Sequence, residues 1–96
     1  MRVEFHPEAD AELSENAAFY EQRVPGLGYR FLEEIERGLD LLAVQPQIGT
    51  PLTEVFRTLV LTEFPFSLIY SVEPEKIRVV AVAHQRRRPR YWSDRT

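Results

Sequence analysis

The chain has 96 residues, of which 44% are hydrophobic and 28% charged, and no cysteine, so it holds one domain with one modest core and excludes disulfides, thiolate metal sites and cysteine nucleophiles. No apolar run reaches the about 18 residues of a membrane span, and residues 1–20 are acidic and lack a signal peptide's basic start and apolar stretch, so the expectation is a cytoplasmic protein without membrane attachment. The net charge of −3 is polarised: residues 1–77 carry 14 acidic against 6 basic side chains, net −8, whereas residues 78–96 carry 6 arginines against Asp94 alone, net +5.

Residues 2–6 alternate, with Val3 and Phe5 on one side and Arg2, Glu4 and His6 on the other, the period of a half-buried strand. Pro7 suits the first position of a helix, where its missing N–H costs nothing, and Glu8, Asp10 and Glu12 favour the positive end of the helix dipole. Leu13, Ala17, Tyr20 and Val24 then form one apolar stripe, which Pro25-Gly26 stops. A second stripe of Leu27, Phe31, Ile35, Leu39 and Leu42 predicts a helix over residues 27–44, with Glu33, Glu34, Glu36 and Asp40 on its remaining faces. Gly38 within it costs about 1 kcal/mol against alanine, which close packing or weak selection would explain. The tight turn between the stripes makes the pair an antiparallel hairpin whose apolar faces need a sheet to cover them.

Residues 45–53 contain Pro46, Gly49 and Pro51 and read as a loop. Residues 55–61, 66–72 and 77–84 have strand length and β-branched or aromatic content, and the short turns between them require antiparallel neighbours. The expected fold is α+β, in the order β-α-α-β-β-β, with the helical hairpin packed on one face of a small, mostly antiparallel sheet. Strict alternation groups Phe66, Leu68, Tyr70 and Val72 against Ser67, Ile69 and Ser71, and Ile77, Val79, Ala81 and Ala83 against Arg78, Val80, Val82 and His84. One sheet face meets the helices; the other is expected to be a partly apolar concavity bearing Ser67, Arg78 and His84. Alternation places Arg57 with Val55, Leu59 and Leu61 but does not decide which face they take.

This order, with EFPFSLIYSV followed by IRVVAVAHQRRRPRYW, resembles the RelE/ParE superfamily of bacterial toxins. Nearly the whole chain takes part, including HPEADAEL and AAFYEQ in the first helix, GLGYRFLEEIE in the second and QPQIGTPL in the loop. The resemblance implies a single toxin domain over residues 1–96, arresting growth as part of a type II toxin–antitoxin pair and neutralised by a cognate antitoxin; no cofactor or metal is implied. RelE-like members are ribosome-dependent mRNA endonucleases, and ParE-like members inhibit DNA gyrase. The RelE-like pattern has an arginine before the Leu-Val-Tyr of the third strand, where this chain has Ser67 before Leu68-Ile69-Tyr70. The second strand offers Arg57 alone, Arg86 fits the arginine after the last strand, and Tyr91 or Trp92 falls near the tyrosine position.

Cleavage of RNA would need a base for the ribose 2′-OH, an acid for the leaving oxygen and cations for the charge building on phosphorus. Arginine supplies only the last, and the candidate catalytic set is therefore His84, Arg57 and Arg86. A histidine at a strand end also serves as a plain hydrogen-bonding residue. The favoured expectation is the ParE-like branch, docking DNA gyrase through the basic segment 85–96 with Arg86, Arg87, Arg88, Arg90, Tyr91 and Trp92 as contacts, since Arg, Tyr and Trp are enriched at binding hot spots. Tyr91 and Trp92 have a second reading, folding back to cap the sheet and anchor the arginines by packing. Two alternatives stand beside this expectation: the ribosome-dependent endonuclease acting on mRNA, and an inactive or purely regulatory module that binds only its antitoxin and DNA. Operator DNA would be reached through the antitoxin complex, because the acidic body opposes independent DNA binding.

Overall fold

A computed structural model describes residues 1–95. The elements are β1 (Arg2–Phe5), α1 (Pro7–Arg23), α2 (Leu27–Val44), β2 (Thr50–Pro51), β3 (Phe56–Val60), β4 (Phe66–Val72) and β5 (Lys76–His84). They form the expected α+β architecture, with one addition. The segment read as a loop contains a two-residue strand, β2, which pairs antiparallel with β3. Sheet order is β1-β5-β4-β3-β2, antiparallel throughout except that β1 runs parallel to β5.

Pro7 opens α1 as its composition predicts, and the His6 Nδ1 caps it by accepting from the Glu8 N–H at 3.0 Å. Leu13, Ala17 and Tyr20 pack against the core, but Val24 lies one residue past the helix and is 53% exposed, so the stripe is one turn shorter than expected. Gly26 turns the chain into α2 with φ at 89°, a left-handed conformation that favours glycine. The Glu21 carboxylate then accepts the N–H groups of Gly26 and Gly28, which the helix start leaves without intrahelical partners. Close packing accounts for Gly38: a Cβ there would lie 3.1 Å from Cδ1 of the buried Leu68.

Tyr20, Phe31, Phe64 and Phe66 interlock between the hairpin and the sheet at centroid distances of 5.0 to 6.3 Å, mostly edge-to-face, a geometry that aromatic quadrupoles prefer. Glu34, expected on an outer face of α2, is buried and accepts the Glu63 N–H at 2.9 Å, securing the β3–β4 turn.

Strict alternation fails in β5. Ile69 lies opposite Ala81 but Tyr70 opposite Val79, so Val80 is an extra residue and the strand bulges. Val79 and Val82 face the helix-side core, whereas Val80, Ala81 and Ala83 join a second cluster on the other face with Ile69 and Trp92. His84 is therefore carried onto the side of Phe66, against whose ring it packs edge-on at 5.0 Å. The open face bears Ser67 as expected, but Ala81 and Ala83 exchange faces with Val82 and His84.

Candidate target-binding site

Beyond β5 the chain leaves the strand, arches over the open face and returns to the sheet. At the departing end the Gln85 N–H donates to the Pro65 carbonyl at 2.8 Å, the Arg87 N–H to the His84 carbonyl at 2.9 Å and the Arg86 N–H to His84 Nδ1 at 3.0 Å. At the returning end Trp92 is 4% exposed, set among Ile69, Val80, Ala81 and Ala83 with its ring centroid 5.1 Å from Phe56. Arg86, Arg87, Arg88 and Arg90 lie between these anchors, all exposed. Arg90 has φ at 61°, a left-handed value that costs a non-glycine residue of order 1 kcal/mol and persists only where the surroundings hold it.

The arch encloses a cavity of about 280 Å³ whose sheet wall includes Thr58, Ser67, Ile69 and Ala83 and whose roof includes Arg87 and Arg90. Its floor is apolar with two hydroxyls, and its rim is cationic on an otherwise acidic molecule. Among the described residues, no group of three or more histidine or carboxylate side chains is placed to hold a metal ion.

Glu12, read from the sequence only as a helix-start acid, and Arg95 complete the returning anchor. β1 ends at Phe5 opposite Val79, so the second half of β5 has no strand on that side. Glu12 of α1 supplies an acceptor there, taking the Val82 N–H at 3.0 Å, while Arg95 donates to the Val80 carbonyl at 2.9 Å. Arg95 and Glu12 pair at 2.9 and 3.0 Å, and the Tyr91 hydroxyl donates to Glu12 at 2.8 Å. The Arg87 guanidinium stacks 3.9 Å from the Tyr91 ring centroid, with Arg95 at 5.0 Å. Burial, then the hydrogen bond to Glu12 and its charge, push the Tyr91 phenol well above its ordinary pKa. Glu12 and Arg95 are 83 positions apart, and only their opposite charge could have paired them in the sequence.

Of the expected docking residues, the arginines are presented to solvent, whereas Trp92 is buried and Tyr91 is half-buried and tied to Glu12. These two aromatics take the other reading, folding back to anchor the arginines. The candidate catalytic residues are not gathered. Arg57 lies opposite Tyr70 and His84 opposite Phe66, four positions apart along β4, which is about 13 Å at the usual strand rise. Register with Tyr70 also settles the face of Arg57: it is on the helix side, where its guanidinium donates to the carbonyls of Gln47 and Gly49 at 3.0 and 2.7 Å. Tyr70 secures the same loop, accepting the Gly49 N–H and donating to the Pro46 carbonyl. Arg57 is thus a loop tie, and His84 borders the cavity with its Nδ1 already engaged.

Comparison with known proteins decides between the superfamily's branches. Residues 3–89 match the family described as ParE toxin of type II toxin-antitoxin system, parDE. The chain belongs to the ParE toxin family. Among solved structures, one described as "Chromosomal ParDE TA system from P. aeruginosa" superposes with a TM-score of 0.75 and 20% identity, covering 88% of this chain and 95% of that one. No curated protein matches this ParE toxin in sequence. The family match stops at residue 89, so Tyr91, Trp92 and Arg95 lie beyond the matched region.

Proposed function

We propose that this ParE toxin inhibits DNA gyrase in the cytoplasm by docking through the arginine arch, and that a cognate antitoxin neutralises it. The observation that carries this reading is the presentation of four exposed guanidiniums on a segment anchored at both ends. Guanidiniums recognise carboxylates and phosphates through paired N–H groups, and fixing them before docking lowers the ordering cost of association. The nuclease alternative is poorly served: the Tyr91 phenol is held protonated, Ser67 stands where a cation is needed, and Arg57 is committed to a loop.

Exposed apolar side chains elsewhere supply seats for an antitoxin. Phe19, Tyr29 and Leu32 stand out from the helical hairpin, and Val60 marks the β3 edge beyond its short pairing with β2. Such surfaces suit an amphipathic helix or an added strand. Operator DNA is then reached through the antitoxin, since the acidic body disfavours phosphate contacts of its own.

One comparison tests the reading. Purified toxin is added to a gyrase supercoiling assay and, separately, to a ribosome programmed with mRNA. Loss of supercoiling with intact mRNA is the expected result, relieved by co-purified antitoxin. Site-specific mRNA cuts with unaffected supercoiling would overturn it.

A further inference from the structure

We infer that Glu12 of α1 is the positioning residue of the arginine arch, holding its returning end through Tyr91 and Arg95. The functional half of this inference rests on the docking role proposed above; the structural half does not.

Both carboxylate oxygens of Glu12 are doubly engaged. Oε1 accepts the Val82 N–H and Arg95 Nη1, each at 3.0 Å; Oε2 accepts the Tyr91 hydroxyl at 2.8 Å and Arg95 Nη2 at 2.9 Å. The Glu12 side chain is 12% exposed and that of Arg95 9%, so water competes little for these bonds. Charge-assisted hydrogen bonds in such a setting are strong and directional. The link continues outward, because Arg87, one of the presented cations, stacks on the Tyr91 ring. A continuous path of contacts therefore runs from a helix on one side of the sheet to a docking residue on the other.

Position in the fold separates this tie from core stability. The helix-side cluster contains no residue of the arch, and Tyr91 and Trp92 contribute only to the smaller cluster on the open face. Glu12 meets the sheet through the free edge of β5 rather than through the aromatic core. Loosening the clasp releases the arch while leaving the body folded. Without the clasp the four arginines remain present but lose their fixed spacing, and docking must pay for ordering them.

The test uses the full chain with Glu12→Gln, Tyr91→Phe and the double variant, read by three measurements. Trypsin cleavage within residues 86–90 reports release of the arch, emission of Trp92, the sole tryptophan, reports its burial, and the supercoiling assay reports docking. For Glu12→Gln, cleavage is expected to be about tenfold faster or more, as befits loss of a charged hydrogen-bonding hub. Emission moves to the red, and the inhibitory concentration rises by a similar factor while inhibition at saturation and cooperative thermal unfolding are kept. Tyr91→Phe shifts all three in the same direction by a smaller factor, and the double variant falls short of the combined single effects because both act on one link.

Unchanged cleavage and emission in Glu12→Gln overturn the inference. Faster cleavage with an unchanged inhibitory concentration overturns the positioning role. If Glu12→Gln does not fold, Tyr91→Phe, which removes one hydroxyl, decides by the same readouts. Absence of gyrase inhibition by the wild type sinks the docking target instead, and protection and emission then decide the clasp.

Discussion

Trp92 and Arg88 belong to the same basic segment and are predicted to fail in opposite ways. Trp92 is 4% exposed and fills the space among Ile69, Val80, Ala81 and Ala83 on the open face. Truncation to alanine leaves that space empty, so Trp92→Ala is expected to lower stability by about 3 kcal/mol, read from chemical unfolding. Arg88 is exposed, and Arg88→Ala should change stability by less than about 0.5 kcal/mol while weakening gyrase inhibition. Equal loss of stability in both variants would mean that the arginines are structural. Tyr91 adds a pH signature. Its pKa is raised in the fold, so its contribution is complete below the ordinary phenol value and is lost as pH rises through the higher folded value. Stability of the wild type is therefore expected to fall more steeply above about pH 10 than that of Tyr91→Phe, measured as unfolding midpoints across the alkaline range.

At the scale of elements, β1 is a four-residue edge strand laid parallel against β5. Lys76 of β5 donates to Glu4 of β1 at 2.8 Å, and this hydrogen bond, against a smaller opposing effect of burial, lowers the Glu4 pKa. A lowered carboxylate contributes stability above its ordinary pKa, and that contribution is lost as pH falls through the lowered value. The unfolding midpoint of Glu4→Gln should accordingly depend less on pH between about 5 and 3 than that of the wild type; identical acid profiles would show that the pair does not support the strand. The elements themselves were legible because their signals are local. Stripes at helical spacing, Pro7 and Pro25-Gly26 at helix ends, and short turns between strands all act within a few residues. The bulge at Val80 was not, since Val79, Val80, Ala81 and Val82 are all apolar and no polarity change marks the residue where the faces exchange. That one residue moved His84 onto the face of Phe66, whereas the expected catalytic grouping fails because His84 and Arg57 lie four positions apart along β4. Arg86, Arg87, Arg88 and Arg90 were recognisable from composition alone; Glu12, on which their arrangement depends, was hidden by distance along the chain.

For the whole molecule, charge polarisation joins the residue and element arguments. Residues 1–84 carry net −7 and the basic segment 85–96 net +4, so the field of the body would repel a polyanionic surface while the arch attracts it locally. Under the proposed docking role the molecule is expected to approach its target tip-first, with association to unrelated nucleic acid suppressed. Two consequences follow from screening, which is felt over about 8 Å at physiological ionic strength. Gyrase inhibition should weaken as salt rises, and the slope should flatten when arch arginines are replaced by glutamine, because fewer ionic contacts are lost. The acidic body can be tested separately with Glu33→Gln, Glu36→Gln and Asp40→Asn combined, three exposed positions on α2 remote in sequence from the arch. This variant should fold as the wild type does and keep inhibition, yet be retained more strongly on non-specific duplex DNA at low salt, with the difference vanishing as salt is raised. Equal retention of the two proteins at low salt would show that the body's charge plays no part in selecting the target, leaving discrimination to the arch and the cavity beneath it.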